Sequence, residues 1–197
     1  MSKRVIIATN NAHKVMEIRD MFSSLDWDCL SLKEAGLDSD PEETGTTFIE
    51  NARIKARAAH DLSGCAVLAD DSGLVVDALN GAPGVFSSRY AGEESDDAAN
   101  NALLLKNLKD VPEEQRNAHF CCALVFIDTD GVETIAEGRV DGRIGYEERG
   151  SDGFGYDPLF LPDDFVNSKT FAELGLTEKQ KVSHRARALH ALFDQLS

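Results

Sequence analysis

Several things are missing from this sequence, and each absence narrows the reading. No apolar run is long: the longest, Phe120 to Ile127, is far too short to cross a bilayer. At the start, Lys3 and Arg4 precede only four apolar residues, too few for a signal peptide. The four cysteines, Cys29, Cys65, Cys121 and Cys122, form no Cys-x-x-Cys pair. Three of them lie in apolar runs, so they read as small core hydrophobes in a reducing compartment. The five histidines never fall four residues apart, which excludes a zinc-binding His-x-x-x-His helix. A Gly-x-x-x-x-Gly-Lys-Ser/Thr phosphate loop, a dinucleotide fingerprint and a Gly-x-Ser-x-Gly nucleophile elbow are all absent. Positive charge is scarce: 20 Lys and Arg face 35 Asp and Glu, for a net charge of −15. That balance argues against a nucleic-acid polymer or an anionic membrane as partner. The expectation is a soluble, cytoplasmic protein. A phosphorylated ligand would have to be small and met by a few cations and a divalent ion gathered in one place.

The 197 residues are 42% hydrophobic and 28% charged, an ordinary globular composition. They suit one domain over 1–197, or two lobes sharing a core. The chain is organised around Cys65-Ala-Val-Leu-Ala-Asp70-Asp71-Ser72-Gly73-Leu74-Val75-Val76. The first apolar run reads as a buried strand, and Gly73 permits the sharp turn of a hairpin or kink. Two acids at the mouth of a buried strand would be penalised by desolvation unless they hold a cation or move a proton. The same residues also fit an Asp-Ser-Gly turn in which the aspartates cap backbone N–H groups.

Elsewhere strands and helices alternate. Arg4 to Ala8 reads as a buried strand leading through Thr9-Asn10-Asn11-Ala12-His13-Lys14 into a helix striped by Val15, Ile18, Met21, Phe22 and Leu25. A strand that turns into a helix N-terminus offers backbone N–H groups to an anion; the alternative is a plain N-cap by Asn10 or Asn11. Trp27 to Leu32 fits a second strand. Thr46 to Leu62 fits a helix closed by Gly64, with Asn51 and Lys55 on one side. Asp96 is a good N-cap for a helix through Leu108 with Ala99, Leu103 and Leu104 inward. Strands at Ala118–Ile127 and Val132–Val140 are joined by the hairpin turn Asp128-Thr-Asp130-Gly131, giving a second lobe or an antiparallel extension of the sheet. Thr170 and Glu173 have capping-box spacing, and a helix closes the chain from about Ser183.

Four groups ask for one explanation. Glu42-Glu43 and Asp70-Asp71 offer hard oxygen ligands suited to Mg²⁺. The loop from Thr9 to Lys14 offers donors for phosphates. Gly153-Phe154-Gly155-Tyr156-Asp157 sets an aromatic ring between two glycines, where a flat ligand can approach backbone closely. Lys179 and Ser183-His184-Arg185 add donors. Together they describe a pocket for a nucleoside triphosphate. Taken singly, Lys179 reads as solvated surface, His184 as a helix cap, Tyr156 as packing, and Asp157 as a turn-former before Pro158.

Seven motifs occur in order: Thr9-Asn-Asn11-Ala-His-Lys14; Glu42-Glu43-Thr-Gly45-Thr-Thr-Phe48-Ile-Glu50-Asn51-Ala; Ala69-Asp70-Asp71-Ser72-Gly73-Leu74; Gly81-Ala-Pro83-Gly84; Ser88-Arg89-Tyr90; Gly153-Phe154-Gly155-Tyr156-Asp157-Pro158; and Ser183-His184-Arg185. This series resembles the inosine/xanthosine triphosphate pyrophosphatase family, also called Ham1-like or RdgB-like, over nearly the whole chain. Asn10 stands where that family's first motif usually has glycine; asparagine tolerates left-handed backbone better than most residues. The resemblance implies an elongated α/β fold with a mixed central sheet flanked by helices, two lobes with a cleft between them, and a homodimer. It also implies Mg²⁺-dependent hydrolysis of deaminated purine nucleotides (ITP, dITP, XTP) to the monophosphate and pyrophosphate, keeping them out of DNA and RNA.

By the same resemblance Thr9, Asn11, Lys14 and Lys55 would bind the triphosphate. Glu43 and Asp71 would hold the metal, and Asp71 would be the catalytic base. Ser72 would touch substrate, and Phe154, Gly155, Tyr156, Asp157, Lys179, His184 and Arg185 would complete the nucleotide site. Phe154 would stack on the base, while His184 and Arg185 would donate to a 6-oxo group; adenine, with a 6-amino donor there, would leave donor facing donor. Two other readings fit some of these residues: a nucleotide sensor without turnover, and a pyrophosphatase for other modified nucleotides.

Overall fold

The computed structural model describes residues 3–22, 27–92, 96–165 and 169–196. The element order is β1 (Lys3–Ile7), α1 (Ala12–Phe22), β2 (Trp27–Ser31), α2 (Phe48–Ser63), β3 (Ala66–Val76), α3 (Asp97–Asn107), β4 (Asn117–Ile127), β5 (Glu133–Ile144), β6 (Phe160–Pro162), α4 (Phe171–Leu174), α5 (Leu176–Val182) and α6 (His184–Leu196). The strands form one six-stranded sheet in the order β2-β1-β3-β4-β5-β6. It is mixed: β1 runs parallel to β2 and β3, and β6 runs antiparallel to β5. The hairpin strands therefore extend the main sheet. Among the described residues no helix is long and apolar enough to cross a membrane.

The chain divides into two compact units, one of 1–71, 122–138 and 185–197, the other of 72–121 and 139–184. In the first unit the alternation of β3 sets two cores. Ala66 and Leu68 join Val5, Ile7, Leu124 and Phe126 on one face, covered by Val15, Ile18 and Phe22 of α1 and Leu189 and Leu192 of α6. Val67 and Ala69 join Ile6, Val125 and Ile127 on the other, against Ala52, Ala56 and Ala59 of α2. The small alanines let α2 lie close to the sheet. The expected stripe of α1 is present through Phe22; Leu25 lies outside the described residues. Thr47 and Glu50 close a capping box at the start of α2, and Gly64 ends it in left-handed backbone at φ 63°.

In the second unit Leu74, Val76, Phe120, Val140, Ile144, Leu159, Phe160 and Phe171 pack together with Leu104 and Leu108. The capping box predicted at Thr170 and Glu173 is present, as is the N-cap by Asp96, which accepts from the N–H of Ala99 at 3.1 Å.

Two expectations are corrected. No turn forms at Gly73: β3 continues unbroken through Asp70-Asp71-Ser72-Gly73 to Val76, because side chains of the first unit, described below, satisfy the acids and the backbone is left free to keep pairing. On α3 the inward positions include Asn100 and Asn101 beside Leu104, whereas Ala99 and Leu103 are half-buried. The asparagines are buried because their amides bond other segments. Asn100 accepts from Ala91 N–H at 2.7 Å and donates to the Ser88 carbonyl at 3.2 Å.

Arg116, 1% exposed, closes this unit without a carboxylate. It donates to the carbonyls of Ile144 (2.8 Å), Leu108 (2.7 Å) and Gly145 (2.7 Å), and its guanidinium lies 4.3 Å from the Tyr146 ring centre. Three carbonyls share one planar cation, and that of Leu108 also accepts from the Val111 N–H at 3.0 Å. Arg116→Met, similar in bulk but without donors, is expected to lower stability by about 3 kcal/mol in a urea titration. A midpoint unchanged from wild type would show that water replaces the guanidinium.

Candidate active site

In the first unit the acidic pair divides. Neighbouring strand residues point to opposite faces, so Asp70 continues the row of Ala66 and Leu68, and Asp71 the row of Val67 and Ala69.

Asp70 is fully buried. Its Oδ2 accepts from Arg185 Nε at 2.8 Å and from the Cys122 thiol at 3.0 Å, while Oδ1 pairs with Lys14 Nζ. Arg185 also pairs with Glu17, itself buried on α1. Burial alone would raise the Asp70 carboxyl, but Arg185 and Lys14 overrule it and hold it well below the ordinary carboxylate range. Burial pushes the Cys122 thiol up, so it stays protonated and donates.

On the other face, Asp71 Oδ1 accepts from Lys55 Nζ at 2.8 Å, and the same ammonium lies 3.0 Å from Glu43 Oε1. Glu43 reaches it because its loop is tied to α2: the Gly45 N–H donates to Asn51 Oδ1 at 2.8 Å. A side chain at Gly45 would meet that oxygen at 2.6 Å. Asn51 and Lys55, one helical turn apart, thus place Glu43 and Asp71 about one cation. Glu42 is exposed. Burial, outweighing Lys55, pushes the Asp71 carboxyl upward. Burial pulls Lys55 down, but Asp71 and Glu43 more than offset it, so its shift is upward. The upward shift keeps Lys55 an ammonium near neutral pH and makes Asp71 a stronger base than an exposed aspartate. Asp71 Oδ2 is buried and makes no hydrogen bond with the protein.

The loop between β1 and α1 is capped from within. Asn11 Oδ1 accepts from the N–H groups of His13 (2.9 Å) and Lys14 (3.1 Å), and Thr9 Oγ1 accepts from Asn11 N–H at 3.2 Å. The plain N-cap is what forms, and two of the N–H groups expected to face an anion are occupied. Asn10 is outside the left-handed region, which among the described non-glycine residues holds only Asn80. Its side chain reaches the Ser39 carbonyl (3.3 Å) and Asp40 (3.2 Å) instead, so the glycine of the family motif is not needed here for its backbone freedom.

In the second unit, Asp157 Oδ2 accepts from both Phe154 N–H at 3.0 Å and Lys179 Nζ at 2.6 Å. Asp157 thus closes the turn and neutralises the lysine. Lys179 is 2% exposed, not solvated surface, and its ammonium sits 4.7 Å from the Phe154 ring centre. The aromatic ring, the lysine and the aspartate form one assembly. His184, the first residue of α6, is buried and stacks on Phe120 at 4.8 Å and 11°. Tyr156 is buried in the apolar core of this unit, with its hydroxyl donated to the Ser87 carbonyl at 2.8 Å. Ser72 is half-buried on β3.

The structure therefore joins Lys14, Asp70 and Arg185 in one cluster and Glu43, Lys55 and Asp71 in another, both in the first unit. Phe154, Asp157 and Lys179 meet in the second. Arg185 stands differently from what the resemblance implies: Nε and one terminal nitrogen are committed to Asp70 and Glu17, because a buried carboxylate pair demands them. Glu17, Cys122 and Asn51 complete these clusters; from sequence Cys122 read only as a core hydrophobe and Asn51 only as sharing a side of α2 with Lys55. Glu17 carried a visible signal, an acid set between Val15 and Ile18 on the buried stripe of α1.

Comparison with known proteins now places this α/β architecture. The Ham1 family model matches residues 5–195. The chain is 49% identical over 198 residues to a dITP/XTP pyrophosphatase of Haemophilus influenzae, covering 100% of both chains. It is 52% identical over 197 residues to one of Bacillus licheniformis, covering 98% of this chain and 99% of the other. The solved Ham1 protein of Staphylococcus aureus superposes with a TM-score of 0.86 at 40% identity, covering 98% of each chain. A Ham1 protein of Coxiella burnetii gives 0.87, also at 40% identity and with 98% of each chain covered. The chain belongs to the Ham1 family.

Asp70→Asn would leave Arg185 and Lys14 facing a neutral amide and is expected to destabilise the protein by roughly 3–5 kcal/mol at pH 7. Because the folded Asp70 value is depressed, its contribution is complete above the unfolded value of about 3.9 and is lost as pH falls through the folded one. The gap between wild type and variant in urea titrations should therefore close in acid. A gap that widened below pH 4 would contradict the assignment.

Proposed function

We propose that this protein is a Mg²⁺-dependent nucleoside-triphosphate pyrophosphatase acting on deaminated purine nucleotides such as ITP, dITP and XTP. The observation that carries the reading is the pairing of Glu43 and Asp71 about the Lys55 ammonium, with the second Asp71 oxygen buried and unbonded. Two carboxylates on one cation, one with an oxygen to spare, fit Mg²⁺, which takes one or two carboxylates and completes its shell with water and phosphate oxygens. The names of the relatives, dITP/XTP pyrophosphatases, support the substrate class.

Bound there, Mg²⁺ supplies charge neutralisation of the triphosphate. Asp71, made more basic by burial, takes a proton from water as its oxygen bonds to the α-phosphorus. The bond from that phosphorus to the bridging oxygen breaks, and pyrophosphate leaves. Lys14 and Lys55 offer ammonium groups to the leaving polyphosphate. In the second unit Phe154 offers a face to the base, and Lys179, held by Asp157, supports that ring from its other side. A 6-oxo purine accepts where adenine would donate, so a donor such as His184 favours the former. We further propose that the protein works in the cytoplasm as a homodimer. The family resemblance supports the dimer, and the four free cysteines suit a reducing compartment.

With Mg²⁺ and a panel of ITP, XTP, dITP, ATP, GTP, CTP and UTP, pyrophosphate is expected from the first three; binding without release would make the protein a sensor. Asp71→Asn should lower kcat by about 10²–10⁴-fold while keeping the thermal midpoint. A near-normal rate would remove Asp71 from the mechanism. Phe154→Ala should act mainly on KM for ITP, by about tenfold, and an unchanged KM would show that the ring does not stack on the base.

A further inference from the structure

We propose that Asp97 and Asn101, one turn apart on α3, are positioning residues that fix the Phe154–Asp157 turn for base recognition. This inference rests on reading that turn as the base platform. The two side chains hold both polar groups of a single residue. Asp97 Oδ2 accepts the Gly155 N–H at 2.6 Å, and Asn101 Nδ2 donates to the Gly155 carbonyl at 3.1 Å.

Gly155 needs such holding. It sits in left-handed backbone at φ +61°, and nothing lies within 4 Å of where a Cβ would stand. The residue is open to a ligand and has no side chain to anchor it. Asp157 pins the turn from within, through the Phe154 N–H; α3 pins it from without. Phe154 lies between the two restraints, so the backbone that carries its ring is held on both sides.

The amide of Asn101 shows what the position is for. Only one orientation presents N–H to the Gly155 carbonyl. That choice leaves Oδ1 buried and without a hydrogen-bond partner, in a residue 2% exposed. A half-satisfied amide at a core position costs stability that an apolar side chain would not. The neighbouring Asn100 differs: both ends of its amide are used, on Ala91 and Ser88, as expected of a purely structural staple. Asp97 is exposed, so burial does not require its bond to Gly155.

The test uses the full chain with Asp97→Ala, Asp97→Asn and Asn101→Ala. The exposed Asp97 variants are free of any folding penalty from burial, and asparagine keeps an acceptor for the Gly155 N–H. Four quantities are measured: hydrogen exchange of the segment 150–158, kcat and KM for ITP, inhibition by inorganic pyrophosphate, and thermal midpoint. For Asp97→Ala we expect faster exchange in the segment, a KM raised about tenfold, kcat within about twofold, and an unchanged midpoint. Pyrophosphate, which has no base, should inhibit as in wild type. Asp97→Asn should restore exchange and KM, and Asn101→Ala should raise KM beyond any change in midpoint. Unchanged exchange or KM in Asp97→Ala, or equal losses in pyrophosphate and ITP binding, would overturn the inference. Wild-type protein that releases no pyrophosphate from ITP would instead overturn the proposed activity, and the exchange measurement would still decide whether α3 holds the turn.

Discussion

A β-strand sends successive side chains to opposite faces, and in this protein two consecutive aspartates make that alternation the source of everything around them. Asp70 and Asp71 share a peptide bond, yet their oxygens meet different cations. One enters the core beneath α1 and α6, where Arg185, Lys14 and Cys122 take up its oxygens. The other enters beneath α2, where Lys55 and Glu43 wait. A single strand register thus commits one acid to holding the architecture and leaves the next with an oxygen unbonded, the one our proposed function uses. A shift by one residue would exchange their roles.

The same pattern explains how a chain with a net charge of −15 tolerates buried acids. In each cluster the carboxylates meet cations at close range: Asp70 and Glu17 with Arg185 and Lys14, Asp71 and Glu43 with Lys55, Asp157 with Lys179. Excess negative charge is left to the surface, and a few basic residues, Lys179 and Arg185 among them, are buried beside the acids. Such pairs add little net stability, since desolvation consumes most of the attraction. They do fix where each charged group stands, and a site for a polyanion requires that more than it requires stability.

Much of this was legible in the sequence, and the rest was hidden for physical reasons. Periodicity located α1, α2, α3 and α6, and Asp96, Thr170 and Gly64 marked helix ends as capping chemistry requires, whereas α5 was not foreseen. The family resemblance named Glu43, Lys55 and Asp71, and the structure brings these three side chains together. The strand through Gly73 was misread because glycine permits a turn without demanding one; long-range ion pairs decided the matter, and no local pattern encodes them. Lys179 looked like surface within its lysine-rich run because its partner, Asp157, lies 22 residues away. The buried asparagines of α3 ran against polarity, and only the carbonyls and N–H groups they meet make sense of them. Arg185 bonds Asp70 and Glu17, two partners that no sequence pattern announced.

One glycine in the base turn carries an evolutionary consequence. Gly153 has φ +82°, and a Cβ there would overlap the Asp157 carboxylate. The aspartate has grown into the volume that any other residue at 153 would need. The two positions are therefore locked to each other: a lineage could abandon this glycine only by replacing the acid in the same step, and with it the counter-ion of Lys179. Across descendants of this fold, variation at 153 and 157 should arrive together or not at all.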